Sequence, residues 1–475
     1  MKAFNKEREL RKLKFKQNKG KYIKYGTIGI SCLMLVLGVM YFTFAKFESK
    51  SPEWTLINGK VKYDGGGDAN IIAIYKDGEK VDDIPVKGSG YNFEKSECTN
   101  GANANWDNNK WNLIINLTQK TKCSLYFKKS AVAFQIIDLV SGSSTTSTEI
   151  INKGTNSDGT TNTLAYDGTA DNNLRYVGAN PANYVNYNCD SNGENCELWR
   201  IIGVFNNIYT TKEDYNNKTN GQTLIKLIRN EIIGLSKYNY GLAWDSSASG
   251  TNEGLGVNEW SQADLMKELN TDYLGNITVG TDGNWYSGSK NSKSWGMPST
   301  TINSDAQNMI ESVVWNTGTN GSDMASTWTP SNMYTYERST NTGKICTSGT
   351  RCNDSITRTT TWYGKVALMY PSDYGYATGG SSRSTCLNTQ MYSSGWGNNS
   401  SCISNDWLSK SKNQWTLMPK GDSVSTNVFR ISSSGYVDSS YAGSGNELIA
   451  PSIFLKSTVQ ITGGTGTSTD PYTLG

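Results

Sequence analysis

The 475-residue chain contains no histidine. That absence excludes a Ser-His-Asp triad, a Cys-His pair and any imidazole metal ligand. Acid–base work is left to Asp, Glu, Tyr and Lys. None of the nine cysteines falls in a C-x-x-C spacing. Without that spacing and without imidazole, a structural zinc site has no ligand set. Charged residues make up only 18% of the chain, which excludes a coiled coil. "GGTGTSTD" at residues 463–470 has neither the Lys nor the following helix of a phosphate-binding loop. "ITGGTGTSTDPYTLG" at the end of the chain carries no LPxTG-like sorting signal. No Glu sits just inside the apolar N-terminal run, so a pilin subunit is disfavoured.

What is present starts with that run. Tyr25–Ala45 is uncharged over 21 residues, and a helix needs roughly 20 to cross a bilayer. A cleavable signal has about 7–15 apolar residues and a small-residue exit, which "TFAKF" lacks. A buried helix of this length seldom has no polar face. A transmembrane helix at 25–45 is therefore expected. Residues 1–24 carry ten Lys or Arg against two Glu, which keeps that basic tail cytoplasmic and the rest extracellular. The tail's excess of eight positive charges exceeds the chain's net +3, so the remainder is negative. It has nothing to offer a phosphate backbone, and nucleic acid is not an expected partner. The tail meets anionic lipid instead.

The chain holds 48 Gly, 27 Tyr and 14 Trp, most of them after the apolar run. This is a β- and loop-rich composition with enough aromatic bulk for a core. The expected fold class is α+β and β-rich. Behind the membrane helix come a short stalk at 47–55, a small all-β module at 54–129, a helix plus polar linker at 130–164 and a larger α+β domain at 165–475. In the module, "NIIAIYKDGEKVDDIPV" reads as a hairpin turning at Asp77-Gly78. Cys123, Leu125 and Phe127 share one strand face. In the large domain Ser261 and Asp264 form a capping box. "SDAQNMIESVVW" reads as a helix capped by Ser304, with Met309, Ile310, Val313 and Val314 as its buried stripe. Cys32 lies in the apolar run. The other eight cysteines allow 105 connectivities. Their clustering favours Cys98–Cys123, Cys189–Cys196, Cys346–Cys352 and Cys386–Cys402, and an extracellular compartment favours disulfides over free thiols.

The most suggestive stretch for chemistry is "GKVALMYPSDYGYAT". A buried strand ends there at Tyr370-Pro371, followed by Asp373, Tyr374 and Tyr376. Strand ends of this kind line ligand clefts, although Asp373 also suits a helix cap. Trp362 and Trp396 stand in Gly-, Ser- and Asn-rich surroundings where aromatic rings stack on sugars or anchor loops. These five are the candidate ligand-binding residues. Asp158, Asp167 and Asp171 lie in Gly-rich turns without an EF-hand pattern, and turn formation is their default role. No metal, cofactor or catalytic constellation is expected.

Several motifs are specific enough to compare: "ECTNGANANWDNNKWNLIINLTQKTKCSLYF", "NLRYVGANPANYVNYN", "NEWSQADLMKELNTDYL", "GKVALMYPSDYGYATGG" and "VFRISSSGYV". With these the chain resembles an uncharacterised family of membrane-anchored surface proteins from gut Firmicutes. Its C-terminal part is similar to a bacterial domain of unknown function with a C-type-lectin-like or sulfatase-modifying-factor-like core. The closing strand here reads "ELIAPSIFLKS", without the Arg-Pro those relatives often carry. The lectin calcium motifs are not visible, so the resemblance implies no calcium-dependent sugar binding. The expected function is that of a single-pass, adhesin-like surface protein binding an extracellular glycan or protein. A carboxylate-pair glycoside hydrolase and a purely structural envelope component are the alternatives.

Overall fold

The computed structural model describes residues 62–63, 69–85, 91–99, 104–107, 112–115, 121–129, 131–233, 243–245, 255–271, 273–274, 302–319, 327–340, 358–421 and 426–475. The tail at 1–24, the expected membrane helix at 25–45, Cys32 and the Cys346–Cys352 pair lie outside those residues. Among the described residues no helix is long and apolar enough to cross a membrane. The protein is a β-rich α+β chain with several sheets. It divides into two compact units, Met1–Lys129 and Ser130–Gly475.

Among its described residues the first unit has seven strands: β1 (Lys62–Tyr63), β2 (Ala69–Lys76), β3 (Glu79–Val81), β4 (Tyr91–Cys98), β5 (Ala104–Asp107), β6 (Asn112–Ile115) and β7 (Thr121–Lys129). They form sheets ordered β3-β2-β7-β4 and β1-β6-β5. Asp77 and Gly78 both take positive φ, 49° and 86°. A tight hairpin matching the strand twist requires this. Cys123, Leu125 and Phe127 alternate onto one buried face, and Trp106 meets Phe127 edge-on at 5.3 Å. Cys98 lies directly opposite Cys123 in register, and the two form a disulfide.

The second unit opens with helix α1 (Val132–Asp138). Strands β8 (Ile151–Thr155), β9 (Thr161–Tyr166), β10 (Leu174–Tyr176), β11 (Tyr184–Tyr187) and β12 (Glu197–Ile208) follow. After them come α2 (Lys212–Asn217), β13 (Gln222–Arg229), α3 (Asp264–Asn270), α4 (Ser304–Met309), β14 (Ile310–Glu311), β15 (Val313–Asn316) and α5 (Pro330–Glu337). β16 (Thr361–Gly364), β17 (Val366–Leu368), α6 (Pro371–Ala377), α7 (Arg383–Leu387) and α8 (Ser400–Ser404) are next. The chain closes with β18 (Gln414–Pro419), β19 (Asn427–Ile431), β20 (Val437–Tyr441), β21 (Pro451–Leu455), β22 (Ile461–Gly463) and β23 (Thr473–Leu474). A nine-stranded sheet runs β14-β21-β13-β12-β10-β9-β8, with β11 also on β12 and β17 also on β21. Strands β12 and β13 read as continuous apolar runs because both their faces are covered. Gly203 in β12 is required by contact: a Cβ there would stand 2.3 Å from the Leu174 carbonyl of β10.

Three sequence expectations change. The stretch 130–164 is not a linker. α1 buries Val132, Ala133 and Ile136, and β8 and β9 extend the main sheet. Its Ser/Thr/Asn richness serves local turns: Asp158 accepts from the Thr160 N–H and hydroxyl. The helix expected to run from Ser304 into Val314 stops at Met309, and Asn303 caps it. Ile310 then pairs with β21 and Val313–Asn316 with β16. A β-branched run ending in Trp packs better on a pleated sheet than in a helix. Ser261 does not cap α3. Glu259 accepts its hydroxyl at 2.6 Å and the Gln262 N–H at 3.1 Å.

Cys189–Cys196 and Cys386–Cys402 are disulfides, as the clustering implies. The second ties α7 to α8, and both its sulfurs are buried. Closing a loop of this size is worth about 3 kcal/mol in the chain-entropy account. The Cys386→Ser/Cys402→Ser double variant of the full chain is expected to lose that much in denaturant unfolding, while Cys189→Ser/Cys196→Ser, on an exposed turn, loses less.

Candidate functional site

"TLIKLIR" places a lysine in the middle of the apolar β13, "NLRYVG" places an arginine on β10, and both pair with Gly203 of the intervening β12. Buried cations of this kind require a carboxylate partner. Asp373 supplies it. Pro371 starts α6 with a preset φ, and Asp373, two residues on, accepts the Tyr370 N–H at 2.9 Å. Its Oδ1 accepts from Arg175 Nη1 at 2.6 Å and its Oδ2 from Lys226 Nζ at 2.5 Å. Arg175 Nε donates to Asp167 at 3.1 Å. The four side chains are sealed from solvent. Burial pushes the Asp373 carboxyl up, but Lys226 and Arg175 outweigh it and hold it below the usual carboxylate range. Burial lowers the proton affinity of Lys226 in spite of Asp373. Glu337 closes the cluster, accepting the Ser372 N–H at 2.9 Å and its hydroxyl at 2.6 Å. Burial pushes Glu337 up to about 7, against the pull of Arg338.

Of the five residues expected to meet a ligand, Asp373, Tyr374, Tyr376 and Trp396 are buried and Trp362 is half-buried. Asp373 is the centre of the clamp. Tyr374 is enclosed and donates its hydroxyl to the Gly435 carbonyl at 2.6 Å. Tyr376 is buried beside Arg175. Trp396 is enclosed, packs on Tyr374 at 5.4 Å and donates Nε1–H to the Cys386 carbonyl at 3.1 Å. Trp362, half-buried on β16, meets Trp260 edge-on at 6.0 Å. Every residue of α6 is buried, because Gly375 lets Pro330 and Met391 close over the helix. These rings anchor loops to the core. Asp158, Asp167 and Asp171 are likewise taken up by protein donors, and no acidic or cysteine cluster able to hold a metal occurs among the described residues.

An open cleft lies instead where the end of β12, α2 and the end of α5 converge. Asp171, Asn207, Tyr209, Tyr215, Lys218, Asn316 and Arg338 line a space of about 180 Å³. Its walls follow from local chemistry. Thr211 caps α2 by accepting the Asp214 N–H at 3.0 Å. Lys218 ends α2 in the left-handed conformation, φ 55°, which returns its ammonium to 3.5 Å from the Tyr215 ring centre. Tyr209 and Tyr215 meet edge to face at 5.5 Å. Opposite, Arg338 stacks on Tyr334 at 3.5 Å, and its Nε lies 3.4 Å from Asp171. Asp171 also accepts from Asn207 at 2.9 Å and from the Tyr334 hydroxyl. Burial opposes the Arg338 charge, but Tyr334 and Glu337 outweigh it and raise its pKa. Lys218 is lowered by partial burial, with Asp171 opposing. Of these residues the sequence points only to Asp171, as a turn carboxylate that could offer an oxygen to calcium. The available signal was Tyr209, Tyr215 and Lys218 spaced through the Asn-rich "NNIYTTKEDYNNKTNG".

No protein-family model matches the chain, and neither a curated protein nor a solved structure does.

The clamp yields two expectations. Asp373→Ala leaves two buried cations short of their counter-charge and should cost about 3–5 kcal/mol in unfolding free energy. Glu337 is raised from 4.5 to about 7, so its contribution is complete below pH 4.5 and is lost as pH rises through about 7. Glu337→Gln should flatten that part of the profile of melting temperature against pH; an unchanged slope contradicts the assignment.

Proposed function

We propose that the protein is a single-pass surface receptor whose outer part binds an extracellular ligand, and that the cleft between Tyr209, Tyr215, Lys218 and Arg338 is the contact site. One observation supports this most. Lys218 is exposed, and among the described residues its ammonium meets only tyrosine faces. A guanidinium held in place by Asp171 faces it across an open space of about 180 Å³. A cleft that size is below the ~300–1,000 Å³ typical of drug-sized pockets, so it accepts one sugar ring or one side chain. Aromatic faces, two amides and two cations suit a glycan with an acidic group. The charge-biased N-terminal run supports the membrane anchoring, and the disulfides support an oxidising exterior. The mixed α+β unit is the part we assign to the lectin-like domain.

A glycosidase needs a pair of carboxyls flanking the bond it cuts. Among the residues lining the cleft Asp171 is the one carboxylate, and it is already committed to Arg338, Tyr334 and Asn207. Binding is the better reading of this geometry. The full chain in detergent micelles, applied to an array of neutral and acidic glycans, should retain the acidic ones. Lys218→Ala and Tyr209→Ala should each weaken binding about tenfold, on the order of 1 kcal/mol. Binding that survives both changes, or retention of neutral sugars alone, overturns the assignment.

A further inference from the structure

The buried clamp beneath α6 has the parts of a reaction centre. Lys226 Nζ stands 2.5 Å from Asp373 Oδ2, with both side chains fully enclosed. The rings of Tyr370, Trp315, Phe205 and Phe454 surround the ammonium at 4.3, 5.1, 5.6 and 5.7 Å. Such a site excludes the water that would keep the two groups as solvated ions. It also holds an amine against a carboxyl carbon in one fixed geometry, the condition under which intramolecular reactions gain most. Arg175 Nη1, 2.6 Å from Oδ1, is aimed where negative charge grows if that carbon becomes tetrahedral.

We propose that Lys226 and Asp373 condense to an intramolecular amide, an isopeptide bond, with Arg175 stabilising the carboxyl oxygen. Lys226 enters as ammonium and Asp373 as carboxylate. Nζ passes a proton directly to Oδ2, 2.5 Å away, and the freed lone pair forms a bond to Cγ. The Cγ–Oδ2 bond then breaks. Oδ2 leaves as water with two of the three ammonium protons, and the third stays on the amide nitrogen. Oδ1 remains as the amide carbonyl, facing Arg175. Nothing is oxidised or reduced, and no co-reactant is needed. The lowered proton affinity of Lys226 eases the first transfer, and the ion pairs that hold Asp373 ionised oppose it. The product exchanges two desolvated charges for one neutral group. It also ties the middle of the main sheet to α6 across 147 residues, a covalent lock suited to a protein exposed outside the cell.

Intact mass spectrometry of the full chain in mild detergent tests this directly. The expected mass is lower by one water than that of the sequence with its disulfides. Trypsin should fail to cut after Lys226 and release one branched peptide joining Lys226 to Asp373. The full mass, with separate Lys226 and Asp373 peptides, overturns the proposal without any variant being needed. Lys226→Met should abolish the water loss.

Discussion

In the ion-paired state of the structure Asp373 is a carboxylate with no access to water, and the second unit is organised around satisfying it. A charge transferred from water into protein loses several kcal/mol of solvation. Here the loss is offset by three donors from three elements: Arg175 of β10, Lys226 of β13 and the Tyr370 N–H at the start of α6. Each donor is itself immobile, because β10 and β13 both hydrogen-bond to β12. The clamp therefore sets where α6 meets the sheet. A hydrophobic contact alone would allow the helix to slide, since burial has no direction. A three-way charge contact has one geometry.

The packing around the clamp follows from that seat. With α6 fixed, Tyr374 reaches the Gly435 carbonyl and Trp396 closes over it. The Cys386–Cys402 disulfide then joins the two short helices that carry this layer. Tyr370 works in both directions. Its ring lies 4.3 Å from the Lys226 ammonium, and its hydroxyl accepts the Asn316 N–H at 2.9 Å. Asn316 also lines the cleft. Glu337 and Arg338 make the second link, one facing the clamp and the other the cleft, 3.3 Å apart. The cationic wall of the cleft is thus anchored to the least accessible charges of the unit. A rigid wall of that kind loses little side-chain entropy when it takes up a ligand.

Much of the architecture was legible from residue pattern. The Asp77-Gly78 hairpin, the Cys123-Leu125-Phe127 face, the α1 helix and the local disulfides all depend on spacings of two to about four residues or on neighbouring cysteines. Each is decided within its own segment. The failures share a cause. Ile310, Val313 and Val314 fit a helical stripe as well as they fit strands, and the choice fell to β21 and β16, which are distant in sequence. The Ser/Thr-rich stretch before β9 reads as linker because its hydrogen bonds are polar and local, yet its backbone extends the main sheet. Tyr374, Tyr376 and Trp396 read as surface aromatics because their neighbours are Gly, Ser and Asn; in the fold those small neighbours let other segments close over the rings.

By itself the sequence determined the chemical vocabulary: no imidazole, one long uncharged run beside a basic tail, paired cysteines, and a β-rich unit whose strands carry a lysine and an arginine. The fold buries both cations, so they need a carboxylate, since an unpaired buried charge is not tolerated. Which carboxylate answers them was decided only by the tertiary structure, from among 42 Asp and Glu residues. So was the gathering of Tyr215, Lys218 and Arg338 around one opening. The reason is physical. Local propensity acts over a few residues, whereas the Lys226–Asp373 contact spans 147, and Coulomb attraction in a dry interior selects a partner by distance in space, which the order of residues along the chain does not state.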